Sequence, residues 1–152
     1  MGDIRNFLLP NEPTCIVACS AATARFWRSD SRFGDWTALA ELSDELASNR
    51  EADYASDRPG RAFDSAGHGR HAMSAPESGQ DHQKQLFARR VADYLNRAIA
   101  ANEVNVLVII AGPAFLGFLR TELSEAARKA VTLAAPKNLS NLDEGEIRKY
   151  FE

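Results

Sequence analysis

At 152 residues, with 45% hydrophobic and 26% charged side chains, the chain has the length of one ordinary domain and a composition that excludes wholesale disorder. Its formal net charge of -3 gives no overall field that would draw nucleic acid or an anionic membrane. No apolar window reaches the roughly 20 residues that a membrane-spanning helix needs. The opening MGDIRNFLLPNEPT has no basic region ahead of a long apolar run, and Asn6 stands where a myristoylation signal needs Ser or Thr, so a cytoplasmic protein with no membrane partner is expected.

Thr14 to Ser20 (TCIVACS) is short, apolar and preceded by Pro13, which predicts a buried strand. It carries the chain's two cysteines, Cys15 and Cys19, which one strand cannot easily bend to join, so both are expected as reduced, buried thiols. Ala24 to Arg28 alternates aromatic with basic residues, as an antiparallel partner would. Trp36 to Leu42 is a weaker third strand whose Ala, Leu and Glu equally allow helix.

From about residue 47 to 81 the chain turns polar and rich in Gly, Ser, Arg and Asp. A loop of that length within a compact domain is usually functional or disordered. Beyond it, Leu86, Phe87, Val91, Leu95, Ala98 and Ile99 recur at helical spacing and predict a helix over His82 to Ala101. Val104 to Ala111 (VNVLVIIA) reads as a strand buried on both faces. Gly112-Pro113 ends it and opens a helix predicted from Pro113 to Lys129. A short strand, Val131 to Ala135, and a closing helix, Asp143 to Phe151 with Asp143 as cap, complete an α/β chain with a mixed sheet and helices packed on it.

Two places could carry function. In open α/β sheets ligands favour the crevice at the carboxyl ends of strands where strand order reverses. If the first strand neighbours Val104 to Ala111, that crevice lies between Ser20 and Gly112, beside the positive end of the Pro113 helix. The second is Asp57 to Met73, DRPGRAFDSAGHGRHAM. Arg58, Arg61 and Arg70 there, with His71 and then Lys84 on the following helix, offer guanidinium forks suited to backbone phosphates. The competing reading pairs each Arg with a neighbouring Asp on a solvated surface. His68, His71 and His82 lack a Cys or Glu at ligand spacing, so no metal is expected, and with no nucleotide-binding glycine pattern no cofactor is expected either.

The blocks DRPGRAFDSAGHGRHAM, LFARRVADYLN, VLVIIAGPAFLGFLR and KNLS, in that order between about Thr14 and the C-terminus, resemble the bacterial proteins described as required for attachment to host cells. That family is in turn similar to the middle domain of archaeal and eukaryotic class-1 peptide-chain release factors. The resemblance implies one domain over residues 1–152 with a ribonuclease-H-like five-stranded sheet, order 3-2-1-4-5, strand two antiparallel. Release factors carry a Gly-Gly-Gln tip before the first long helix. Here Ser78-Gly79-Gln80 stands nearby with Ser78 in place of the first Gly, so peptide release does not carry over. The family often has an Asp at the end of the first strand, where this chain has Cys19-Ser20.

Three functions follow for test. The first is a non-enzymatic RNA- or ribosome-associating module using Arg58, Arg61, Arg70, His71 and Lys84. The second is an ester or phosphoester hydrolase with His68 or His71 as general base. The third is an indirect role in host attachment.

Overall fold

The computed structural model describes residues 7–44 and 81–151. Five strands form one sheet: β1 Thr14–Cys19, β2 Thr23–Ser29, β3 Thr37–Ser43, β4 Val106–Ala111 and β5 Val131–Ala135, in the order β3-β2-β1-β4-β5. β2 runs antiparallel to both neighbours, whereas β1–β4 and β4–β5 are parallel. This is the mixed sheet expected, with the weak third segment a strand and not a helix. β3 is an edge strand exposed along much of its length, which is why its residues carry so faint an apolar pattern.

The sheet is covered on both faces because its central strands are apolar on both. Cys15, Val17 and Cys19 of β1 and Leu107, Ile109 and Ala111 of β4 point to one face. There they meet α1 (His82–Ala100), α2 (Pro113–Glu122) and α3 (Glu125–Ala130). Ile16, Ala18, Val108 and Ile110 point to the other, beneath Leu9, Trp36 and the C-terminal segment, which holds α4 (Glu144–Arg148) and a closing 3-10 turn, Lys149–Phe151.

α1 matches its prediction closely. It buries Phe87, Ala88, Val91, Ala92, Leu95 and Ala98 on one stripe, then stops at Asn102, whose φ of 60° is the left-handed conformation that Asn tolerates. The Asn102 N–H donates to the Ile99 carbonyl at 3.0 Å and the Glu103 N–H to the Ala98 carbonyl at 2.9 Å, so the turn into β4 leaves few orphan groups.

The helix expected over Pro113 to Lys129 is two helices. The chain extends at Leu123 and Ser124, where ψ is 140° and 166°, and the Ser124 hydroxyl caps α3 by accepting from the Ala127 N–H at 3.1 Å. Asn96 of α1 staples the break. Its Nδ2 donates to the Glu122 carbonyl at 3.3 Å and its Oδ1 accepts from the Ser124 N–H at 2.9 Å. Helical periodicity alone runs across this point because Leu119, Leu123 and Ala127 stay in step and are all buried.

Asp143 caps α4 in a reciprocal box: its Oδ1 accepts from the Glu146 N–H at 2.8 Å while Glu146 Oε1 accepts from the Asp143 N–H at 3.0 Å. Removing the staple by Asn96→Ala is expected to lower stability by about 1–2 kcal/mol, since it orphans a helix carbonyl and a backbone N–H that are only partly open to water. Urea denaturation monitored by circular dichroism measures it, and an unchanged midpoint would show that water replaces both bonds.

Candidate functional site

Cys19 of β1 stands opposite Ala111 of β4, so the first residues past each strand, Ser20 and Gly112, emerge side by side at the carboxyl edge. Their chemistry differs. The Ser20 hydroxyl accepts from the backbone N–H groups of Ala22 and Thr23, both at 3.2 Å, and lies 3.4 Å from the Thr23 hydroxyl, while the Ser20 N–H donates to the Thr23 carbonyl at 2.8 Å. Ser20 therefore closes the β1–β2 turn, and its oxygen is committed to the backbone. Gly112 precedes α2 with φ -59° and ψ 155°, and a Cβ built on it would meet no described atom within 4 Å. Neither conformation nor packing demands glycine here. The N-terminal turn of α2 begins with Pro113, and Pro113 and Ala114 are both exposed.

The same edge holds a feature that the sequence did not announce. The residue after β3 is Asp44, only 6% exposed, whose N–H donates to the Ala22 carbonyl at 2.8 Å. Gln83, in the first turn of α1, donates through Nε2 to Asp44 Oδ2 at 2.9 Å. Two turns further along, Arg90 Nη1 donates to the Ser43 carbonyl at 3.1 Å and its guanidinium lies over the Phe87 ring at 5.3 Å. The end of β3 and the start of α1 are thereby clasped together beside the β1–β2 turn. Neither Asp44 nor Gln83 belongs to a motif, and only the partnership between them, 39 positions apart, carries information.

Arg58, Arg61, Arg70 and His71 lie outside the described residues, as do His68, Gln80 and nearly all of the 47–81 stretch. Lys84 is described: it sits half-buried near the start of α1 and makes no hydrogen bond or ion pair to another described residue. Two of its basic companions on the helix are occupied. Arg89 pairs with Glu122 of α2 at 3.2 Å, and Arg90 is spent on the clasp. Among the described residues no group of three His, Cys, Asp or Glu is placed to hold a metal ion.

Both cysteines are free thiols buried in the face covered by α1. Burial pushes each from an ordinary 9.0 up to about 12, because a thiolate there would be stripped of water. Tyr94, stacked on Phe26 with centroids 4.2 Å apart, is also pushed up, first by burial and then by the neighbouring Cys15 and Glu103. Cys19 lies next to the crevice in sequence, yet it is a protonated core residue and no nucleophile.

The profile of the family described as "Protein required for attachment to host cells" matches residues 15–151, from the first strand to the closing turn. The chain belongs to this family. The match covers both described segments and spans the stretch between them, so the β1–β4 edge, the Asp44–Gln83 clasp and all three helices of the first face lie inside the family region. No curated protein matches the chain significantly. No helix among the described residues is long and apolar enough to cross a membrane.

The thiols set a pH dependence. Each is protonated in the folded state up to about 12 but ionises near 9.0 once exposed, so the unfolded chain loses protons first as pH rises. Their stabilising contribution is complete below pH 9 and declines between about 9 and 12, with a limiting slope near 1.4 kcal/mol per pH unit for each thiol. Denaturant melts at pH 8, 9 and 10 are expected to show falling stability, less steeply in Cys19→Ala. Native protein should react slowly with a thiol-labelling reagent and fully in denaturant. Fast native labelling would contradict this burial.

Proposed function

We propose that this member of the host-attachment family is a non-catalytic RNA- or ribosome-associating module, and that its effect on attachment is indirect. The observation that carries the reading is the Asp44–Gln83 clasp. It ties together the two points from which residues 45–80, including Arg58, Arg61, Arg70 and His71, leave and rejoin the described fold. Both points lie at the carboxyl edge of β1 and β4, with the exposed N-terminal turn of α2 and with Lys84 near the start of α1. The three arginines of Asp57 to Met73, joined there beside the partial positive charge of a helix N-terminus, suit the phosphates of a single-stranded nucleic acid.

The described side chains at this edge favour binding over covalent chemistry. Ser20 spends its oxygen on the β1–β2 turn, and Cys19 is held protonated. The DRPGR and FLGFLR blocks carry the resemblance to the host-attachment family, and that family's likeness to the release-factor middle domain lends the ribosome to the reading as a partner. An acidic chain is no obstacle, because phosphate contact depends on a local cluster and not on net charge.

Phosphate contact makes affinity fall with salt, with a log-log slope of about -0.7 for each phosphate neutralised on a single strand. Fluorescence anisotropy with a labelled single-stranded oligoribonucleotide, together with co-sedimentation with ribosomes, should therefore show binding that weakens as salt rises. Replacing Arg58, Arg61 and Arg70 by Ala should abolish most of it, and Lys84→Ala alone should flatten the slope by about 0.7. Gln83→Ala, which opens the clasp without removing a charge, should weaken affinity and leave the slope unchanged. Binding indifferent to the triple substitution would sink the proposal.

A further inference from the structure

The break between α2 and α3 opens a cavity of about 460 Å³ against the outer edge of the sheet. Its apolar walls are Ile109 of β4, Leu116 of α2, Leu123 of the break, and Val131 and Ala134 of β5. Arg120 and Arg128 also line it. The two guanidiniums have no carboxylate partner among the described residues, and Arg128 Nε donates only to the Arg120 carbonyl, at 3.3 Å. The acids that α2 and α3 carry are engaged elsewhere: Glu122 with Arg89 at 3.2 Å, and Glu125 with Lys129 at 3.6 Å. A cavity in the size range of small-molecule sites, apolar within and lined by two cations that no described carboxylate neutralises, matches a ligand with an apolar body and a single anionic head.

We propose that this cavity binds a small amphipathic carboxylate, its hydrocarbon part against Ile109, Leu116 and Ala134 and its carboxylate on Arg120 and Arg128. The site is separate from the carboxyl edge of β1 and β4, since it is built from the last turn of α2, from α3 and from β5. Both side chains belong to exposed residues, and the α2–α3 break is stapled by Asn96 independently of the exposed Arg128–Arg120 bond.

Titration calorimetry with octanoate, and with octan-1-ol as the uncharged control, tests the assignment. Octanoate should bind one to one and octanol at least about tenfold more weakly, the loss expected when two charge-assisted hydrogen bonds are absent. The double variant Arg120→Gln, Arg128→Gln should weaken octanoate by a similar factor while leaving octanol and the melting temperature unchanged. Val131→Phe, at a half-exposed position, should fill the cavity and weaken both probes. If Val131→Phe unfolds the protein, Ala134→Val replaces it, checked by circular dichroism. Equal affinity for octanoate and octanol, unchanged octanoate binding in the double arginine variant, or no saturable binding by the wild-type protein would each overturn the proposal. So would wild-type protein that sediments with phosphatidylglycerol vesicles but does not bind octanoate, with sedimentation lost in the double arginine variant, which would assign the arginines to a lipid surface.

Discussion

The parallel pair of β1 and β4 is the constraint from which the rest of the fold follows. All six residues of each strand are buried, on both faces, and they pair in continuous register from Thr14 with Val106 to Cys19 with Ala111. A strand pair with no polar face must be roofed twice, which requires crossover helices on one side and a second covering on the other. Losing one large side chain from it, such as Ile16 or Ile109, removes contacts worth about 2–5 kcal/mol. Because β1 and β4 run the same way, their ends also bring Ser20 and Gly112 to one edge, so the position of the candidate site is a by-product of core formation.

The second roof is thin, and polar contacts hold it. α4 has five residues, too short to persist by its own backbone bonds. Trp27, Trp36 and Phe151 stack in sequence with centroids 5.7 Å apart at both steps, and Phe7 meets Phe151 edge-on at 6.2 Å. Arginines then tie loops to the sheet through carbonyl oxygens. Arg25 of β2 donates to the carbonyls of Ser140 and Leu142, with its guanidinium 5.1 Å from the Trp27 ring. Arg32 donates to the Leu9 carbonyl at 2.7 Å, and Arg148 to the Gly34 carbonyl at 3.5 Å. Charge-assisted bonds to carbonyls are directional in a way that apolar contact is not, and they fix where the chain's two described ends lie on this face.

What the sequence disclosed divides along the same physical line. The strands themselves, the 82–100 helix and the Asp143 cap were legible, because burial on two faces, helical periodicity and a capping residue each leave a local pattern, whereas the sheet order came from the family resemblance. The α2–α3 break was not, since Leu119, Leu123 and Ala127 keep the helical period through it. The signal that decides it is Ser124 acting with Asn96, 28 positions away, and no local window contains both. The crevice between Ser20 and Gly112 could be located from strand order, but the use of the Ser20 hydroxyl in the turn could not. The Asp44–Gln83 clasp was equally hidden, being a single polar contact between two residues unremarkable in their own surroundings.

A net charge of -3 would suggest a protein indifferent to anions, yet the fold redistributes that charge unevenly. Arg25, Arg32, Arg90 and Arg148 are consumed by backbone carbonyls, and Arg28, Arg89 and Lys129 by carboxylates. Each of the latter pairings cancels an acid as well as a base. Among the described residues Lys84, near the carboxyl edge, escapes both fates; of the two arginines in the cavity beside β5, Arg128 gives one N–H to the Arg120 carbonyl, and neither meets a carboxylate. Screening over about 8 Å at physiological ionic strength makes such local surpluses, and not the total, the quantity an approaching anion feels. The charge an acidic chain offers to an anion is thus set by which cations the fold leaves unspent.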